Sequence, residues 1–207
     1  MSGTVTLVYG GSFDPPHAMH ARMATTAADA IGAGAILVLP AGVNPQRTGK
    51  PPAPAEHRLA MTRLAFAGDP RVQVDDREMQ RGGVSYTVDT LETLHQEHPK
   101  ARLRLLLGGD QALNFGSWRE PARIETLAEP VVVPRPPLHA AALRDELVRR
   151  TGNAAWIKRV LDIEPVETSS TDVRAMLARG ERPGPDLLLP AVADYAMRHD
   201  LYRADAR

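Results

Sequence analysis

The sequence has no cysteine. That excludes disulfides, thiolate zinc sites and cysteine nucleophiles. It has no excess of either charge, with Lys+Arg and Asp+Glu at 25 each. No nucleic-acid or anionic-membrane surface is therefore expected across the molecule, although a local basic pocket stays open. No apolar run reaches the roughly 18 residues of a membrane span. Residues 1–20 lack the basic and then apolar pattern of a secretory signal. The expectation is a cytoplasmic protein with neither a nucleic-acid nor a membrane partner. Aromatic residues make up only 4% of the chain, so one placed beside a candidate site carries weight.

What is present is an alternation of short apolar runs with helical patterns. The strand candidates are Thr4–Tyr9, Ala35–Pro40, Val72–Val74, Leu103–Leu107, Pro130–Val133 and Ile163–Val166. The helix candidates are His17–Ile31, Ala55–Phe66, Thr87–His98, Glu120–Ala128, Leu138–Arg150, Ser170–Arg179 and Ala191–His199. Runs such as Val131-Val132-Val133 do not alternate, which favours strands covered on both faces. The pattern predicts an α/β fold, Rossmann-like, with an open and mainly parallel sheet and helices on both faces. At 207 residues, without repeats or a composition break, one domain over 1–207 is expected. In such folds ligands sit beyond the carboxyl ends of the strands. His17, Asn44, Asp110 and Arg135 each follow a strand candidate, so one crevice could collect them.

The densest signal is Gly10-Gly11-Ser12-Phe13-Asp14-Pro15-Pro16-His17-Ala18-Met19-His20, between the first strand and the first helix. A glycine pair and a helix start let a phosphate approach the backbone. His17 and His20 are three apart and so point the same way. Imidazole N–H groups at a helix N-terminus suit phosphate. Zinc is disfavoured, because the spacing differs from the zinc-protease helix and Asp14 is the one close carboxylate.

Three further stretches carry polar chemistry. Ser169-Ser170-Thr171-Asp172-Val173-Arg174 reads as a helix opening with Ser170 as N-cap and Arg174 one turn on. Hydroxyls, backbone donors and a guanidinium there form a polyphosphate cradle. Gly82-Gly83-Val84-Ser85-Tyr86-Thr87-Val88-Asp89-Thr90-Leu91 opens another helix, which Ser85 or Thr87 could cap. Leu107-Gly108-Gly109-Asp110, followed by Trp118, sets a carboxylate after a strand and a ring nearby. The carboxylate could accept ribose hydroxyls, and the ring could stack on a flat heteroaromatic.

These segments together resemble the nicotinate-nucleotide adenylyltransferase family of the HxGH nucleotidyltransferases. The first matches G-G-[ST]-F-D-P-x-H-x-G-H, with Met19 at the glycine position. The Ser169–Arg174 stretch resembles I-S-S-T-x-[IV]-R, with Thr168 for isoleucine. The Ser85–Leu91 stretch resembles S-Y-T-x-D-T-L. Weaker likenesses are Asn44-Pro45-Gln46-Arg47 to P-P-H-K, Glu56–Met61 to H-R-L-x-M, Val133–Pro136 to V-x-R-P-G, and the tail Val192–Tyr202. The similarity spans about Val5 to Tyr202.

The resemblance implies transfer of an adenylyl group from ATP to nicotinate mononucleotide, giving deamido-NAD and pyrophosphate. It implies His17, His20 and Arg174 as catalytic residues. Gly10, Gly11, Ser12, Phe13, Asp110, Ser169, Ser170, Thr171 and Arg47 would bind ATP, with Arg47 replacing the phosphate-binding lysine and Lys50 a second candidate. Asn44, Thr87 and Trp118 would hold the mononucleotide. Mg²⁺ would be carried with the ATP phosphates, without a protein ligand. The attacking phosphate has a second pKa near ~6 and needs no general base. The alternatives are adenylyl or cytidylyl transfer to another phosphate such as phosphopantetheine, or a catalytically weak nucleotide binder of the same fold. Met19 and Arg47 speak for the last. A homo-oligomer stays open.

Overall fold

The computed structural model describes residues 3–46, 51–163 and 169–203. Five strands form the sheet: β1 (Val5–Gly11), β2 (Ala35–Pro40), β3 (Val72–Val74), β4 (Arg102–Gly108) and β5 (Glu129–Val133). Their order is β3-β2-β1-β4-β5. β1 pairs parallel with β4, from Val5 opposite Arg102 to Val8 opposite Leu105. β4 pairs parallel with β5, from Arg104 opposite Glu129 to Gly108 opposite Val133. Consecutive residues Leu105, Leu106 and Leu107 are all buried. A strand covered on both faces needs no alternation, which is why these runs are uniformly apolar.

The helices are α1 (Ala18–Ala30), α2 (Ala55–Phe66), α3 (Arg77–Arg81), α4 (Thr87–Glu97), α5 (Gly109–Leu113), α6 (Pro121–Leu127), α7 (Ala140–Thr151), α8 (Trp156–Arg159), α9 (Ser170–Ala178) and α10 (Pro190–Arg198). The seven expected helices are all present, with no end shifted by more than two residues. The short α3, α5 and α8 and a 3-10 turn at Phe115–Ser117 were not expected. Elements of three to five residues span barely one turn and give periodicity nothing to act on.

The chain falls into two compact units. One comprises residues 3–9, 23–37 and 86–163, and the other 10–22, 38–46, 51–85 and 169–203. The first is cored by Leu7, Leu91, Leu105, Leu143, Leu147 and Trp156, each at most 2% exposed. In the second, Met61, Val173, Leu188 and Val192 are wholly buried. Of the sixth expected strand, Ile163–Val166, only the first residue lies among those described, and it is irregular. The residue beside β5 is Val160, in a single parallel bridge to Val132. α8 buries Trp156 and Arg159 and delivers Val160 there, with Leu161 N–H donating to Val132 O at 2.9 Å. Among the described residues no helix is long and apolar enough to cross a membrane.

Candidate active site

The glycine pair, expected to follow the first strand, lies within it. Gly10 and Gly11 are the last two residues of β1, and neither has positive φ. The left-handed residue is Phe13, at φ 46°, a conformation that costs a side chain roughly 1–2 kcal/mol. Its ring is 2% exposed and meets His20 edge-on at 5.2 Å and Phe66 at 5.7 Å. The Phe13 side chain thus supports His20, and only its backbone is left to meet a nucleotide. A Cβ on Gly11 would lie 3.0 Å from that ring, whereas one on Gly10 would meet nothing within 4 Å. Gly11 makes room for Phe13, and Gly10 leaves the backbone open to approach.

His17 immediately precedes α1, and His20 is its third residue. The rings stack at 3.6 Å with planes 26° apart. His20 Nδ1 accepts the backbone N–H of His17 at 3.0 Å. This is the reach-back half of a capping box, with imidazole in the place of glutamate. Met19, between them, is 6% exposed and packs inward.

The second motif meets the first within the same unit. Ser170 Oγ donates to Pro15 O at 3.1 Å, and Arg174 Nη1 donates to Asp14 O at 2.7 Å, across 155 and 160 residues. The N-cap is Ser169, not Ser170: its side chain accepts from Thr171 N at 3.1 Å. Ser169 has the extended backbone of an N-cap, whereas Ser170 is already the first residue of α9. Arg174 Nη2 also donates to Thr171 Oγ1 at 3.0 Å.

Asn44 Nδ2 donates to Ser12 Oγ at 2.9 Å, tying the loop after β2 to the loop after β1. Arg47 and Lys50 lie outside the described residues. Ser85 does not cap α4 either. Its hydroxyl accepts Gly42 N–H at 2.9 Å, and the α4 N-cap is Tyr86 without a side-chain bond. Gly82 and Gly83, both left-handed at φ 69° and 68°, turn the chain into this contact.

Arg58 lies in a segment marked in the sequence only by a weak likeness, which gave no sign of its reach. The side chain is 2% exposed. It donates to Ser12 O (2.9 Å), Ala41 O (2.7 Å), Gly42 O (3.0 Å) and Ala53 O (3.1 Å). One planar guanidinium thereby fixes both loops that carry Ser12 and Asn44. No local pattern could have shown this, since its acceptors are backbone carbonyls.

The other unit holds Thr87, Asp110, Trp118 and Arg135. Thr87 opens α4, and Asp110 lies in the first turn of α5. Arg135 Nη1 stands 3.6 Å from Asp110 Oδ1. A Cβ on Gly108 would sit 2.8 Å from Asp110 Oδ1, so the carboxylate would have to move to admit one. Burial pushes the Tyr9 phenol well above its ordinary value; Arg135 opposes that shift and Asp110 adds to it. Trp118 packs against Phe115 with ring centres 5.5 Å apart, and its indole N–H is buried without a partner among the described residues. Arg119 covers the Tyr86 ring at 4.8 Å.

Known proteins resemble this chain in sequence and in fold. Residues 8–176 match the cytidylyltransferase-like family model. The chain is 40% identical over 204 residues to a protein of Roseiflexus sp. named "Probable nicotinate-nucleotide adenylyltransferase", covering 98% of this chain and 100% of the relative. A protein of the same name from Chromobacterium violaceum is 38% identical over 207 residues, covering 95% and 97%. The fold is similar to that of Plasmodium falciparum nicotinic acid mononucleotide adenylyltransferase complexed with NaAD. There the TM-score is 0.75 at 19% identity, covering 96% of this chain and 97% of the other. The chain belongs to the nicotinate-nucleotide adenylyltransferase family, within the cytidylyltransferase-like proteins.

Proposed function

We propose that this protein transfers the adenylyl group of ATP to nicotinate mononucleotide, releasing pyrophosphate and forming deamido-NAD. The observation that carries the reading is the meeting of two remote polar helix starts. Ser170 and Arg174 grip the carbonyls of Pro15 and Asp14, on the loop that leads into the stacked His17–His20 pair. Together they offer imidazole, guanidinium, hydroxyl and backbone donors, which suits a polyphosphate.

An oxygen of the mononucleotide phosphate attacks the α-phosphorus, and the bond to the β,γ-pyrophosphate breaks. The nucleophile is already mostly ionised at neutral pH, its second pKa being about 6. The residues therefore act by positioning and by meeting developing charge. His20 and His17 serve the α-phosphate. Ser169, Ser170, Thr171 and Arg174 serve the leaving phosphates, while Gly10, Gly11 and Ser12 let the nucleotide lie against the backbone. Asp110 takes the ribose hydroxyls. Thr87, Trp118 and Asn44 hold the mononucleotide, with Trp118 stacking on the pyridine ring.

Mg²⁺ fits this chemistry as an ion held by phosphate oxygens and water. The donors gathered here are cationic, N–H or O–H groups, and among the described residues no three His, Asp or Glu side chains assemble into a metal site. When bound, the ion neutralises charge on the departing pyrophosphate.

The test is pyrophosphate release from ATP and Mg²⁺ with three acceptors: nicotinate mononucleotide, its amide counterpart and phosphopantetheine. Release with the acid mononucleotide is expected. Release with phosphopantetheine alone would refute the assignment, and ATP binding without turnover would leave a binding protein.

A further inference from the structure

Tyr202 lies far from the phosphate motifs in sequence, yet it reaches the loop between them. Its hydroxyl donates to Asp14 Oδ1 at 2.8 Å. The same oxygen accepts Ala53 N–H at 3.1 Å. Asp14 is 3% exposed and stands three residues before His17. Its own carbonyl takes Arg174, and the next carbonyl takes Ser170. The two-residue segment Asp14-Pro15 is thus held from the Pro-rich loop, from the start of α9 and from the tail.

The tail is bent to make this contact. Asp200 and Tyr202 both adopt left-handed φ, 50° and 71°. Between them Leu201 N–H closes on Ala196 O at 2.9 Å. Such a conformation is strained for residues with a Cβ and persists where surrounding contacts impose it. Burial, then the Asp14 carboxylate, hold the phenol far above its ordinary value, so it remains a donor at physiological pH.

We propose that Tyr202 is a positioning residue for adenylyl transfer. Through Asp14 it sets the carbonyls that orient Arg174 and Ser170 toward the ATP phosphates, and it holds the loop entering His17. This rests on the reading of the site as ATP-binding given above.

The experiment compares Tyr202→Phe with the full-length wild type by calorimetric titration of ATP with Mg²⁺ and by steady-state pyrophosphate release. The ring stays and the hydroxyl goes. ATP affinity and kcat should each fall about tenfold, as for loss of one hydrogen bond to a charged group. KM for nicotinate mononucleotide should stay within about twofold. Asp14→Asn, which keeps Oδ1 as acceptor for both donors, should retain more activity than Asp14→Ala. Val192→Ala, which cuts a wholly buried side chain of α10 without touching Asp14, should lower the melting temperature and leave ATP affinity alone. Wild-type ATP affinity and rate in Tyr202→Phe would overturn the proposal. So would Val192→Ala losing ATP affinity in step with its melting temperature. If the wild type binds ATP but releases no pyrophosphate, the enzymatic reading fails while the ATP titrations still decide the role of Tyr202. A wild type that binds no ATP overturns both.

Discussion

The backbone N–H of His17 donates to Nδ1 of His20 at 3.0 Å. An accepting Nδ1 carries no proton, so His20 is held as the Nε2–H tautomer. Its remaining ring donor is then Nε2–H, and the stack on His17 limits rotation of the ring. A preset donor of this kind works without reorganising as charge develops.

His20→Ala removes that donor and should lower kcat by about 10²–10³-fold. His20→Gln, whose amide N–H can reach near the Nε2 position, should recover part of the loss. Rapid-quench assays at saturating ATP and mononucleotide measure this. More than half the wild-type rate in His20→Ala would remove His20 from the chemistry.

Arg174, proposed above to serve the leaving phosphates, grips Asp14 O and Thr171 Oγ1. Arg174→Ala should therefore weaken ATP more than the mononucleotide, by roughly 1.5–3 kcal/mol for a lost charge-assisted bond. Arg174→Lys keeps the charge but cannot span two acceptors with a planar fork, so it should rescue only partly. Separate titrations of the two substrates give the comparison. Equal losses for both would mean that Arg174 only holds the fold.

The ends of β2, β3 and α2 coincide with the sequence reading, because prolines, glycines and apolar runs are local signals. The resemblance likewise located the His17–His20 and Ser170–Arg174 segments. What the sequence hid is what long-range bonds decide. Ser170 looks like the N-cap, yet Ser169 caps α9 and the Ser170 hydroxyl donates across the fold to Pro15 O. Ser85 looks like a cap for α4 until Gly42 N–H takes its oxygen. Gly10-Gly11 looks like the start of the loop after the first strand, yet both lie within β1 and the left-handed residue is Phe13, packed on His20 and Phe66. Met19 illustrates the same limit: its side chain, which could have stood across the helix surface, is buried.

Arg58 gives a stability prediction. It donates to four carbonyls from three segments while 2% exposed. Arg58→Ala strands those acceptors in a buried site, at about 1–3 kcal/mol for each one left unsatisfied, less whatever water recovers. A net loss of about 3 kcal/mol or more is expected from urea unfolding. Arg58→Lys should recover little, since one ammonium cannot meet acceptors arrayed around a plane. A loss below about 1 kcal/mol in Arg58→Ala would show that the loops hold themselves.

The buried phenol of Tyr9 and the half-buried phenol of Tyr202 are expected to set the alkaline limit of the fold. Burial raises both Tyr9 and Tyr202, and the Asp14 carboxylate raises Tyr202 further. In the unfolded chain each titrates near its ordinary value of about 10. Below that pH both states are protonated and the stability is intact. Above it the unfolded state gives up protons that the native state keeps, so unfolding is favoured as pH rises. The slope should approach about 1.4 kcal/mol per pH unit for each tyrosine. Denaturant unfolding at steps from pH 9 to 11.5 should show stability falling from about pH 10 upward. Tyr202→Phe should remove one phenol's share of the slope, whatever it costs in absolute stability, and Tyr9→Phe the other. A slope unchanged in the double variant would refute the assignment of the alkaline transition to these two tyrosines.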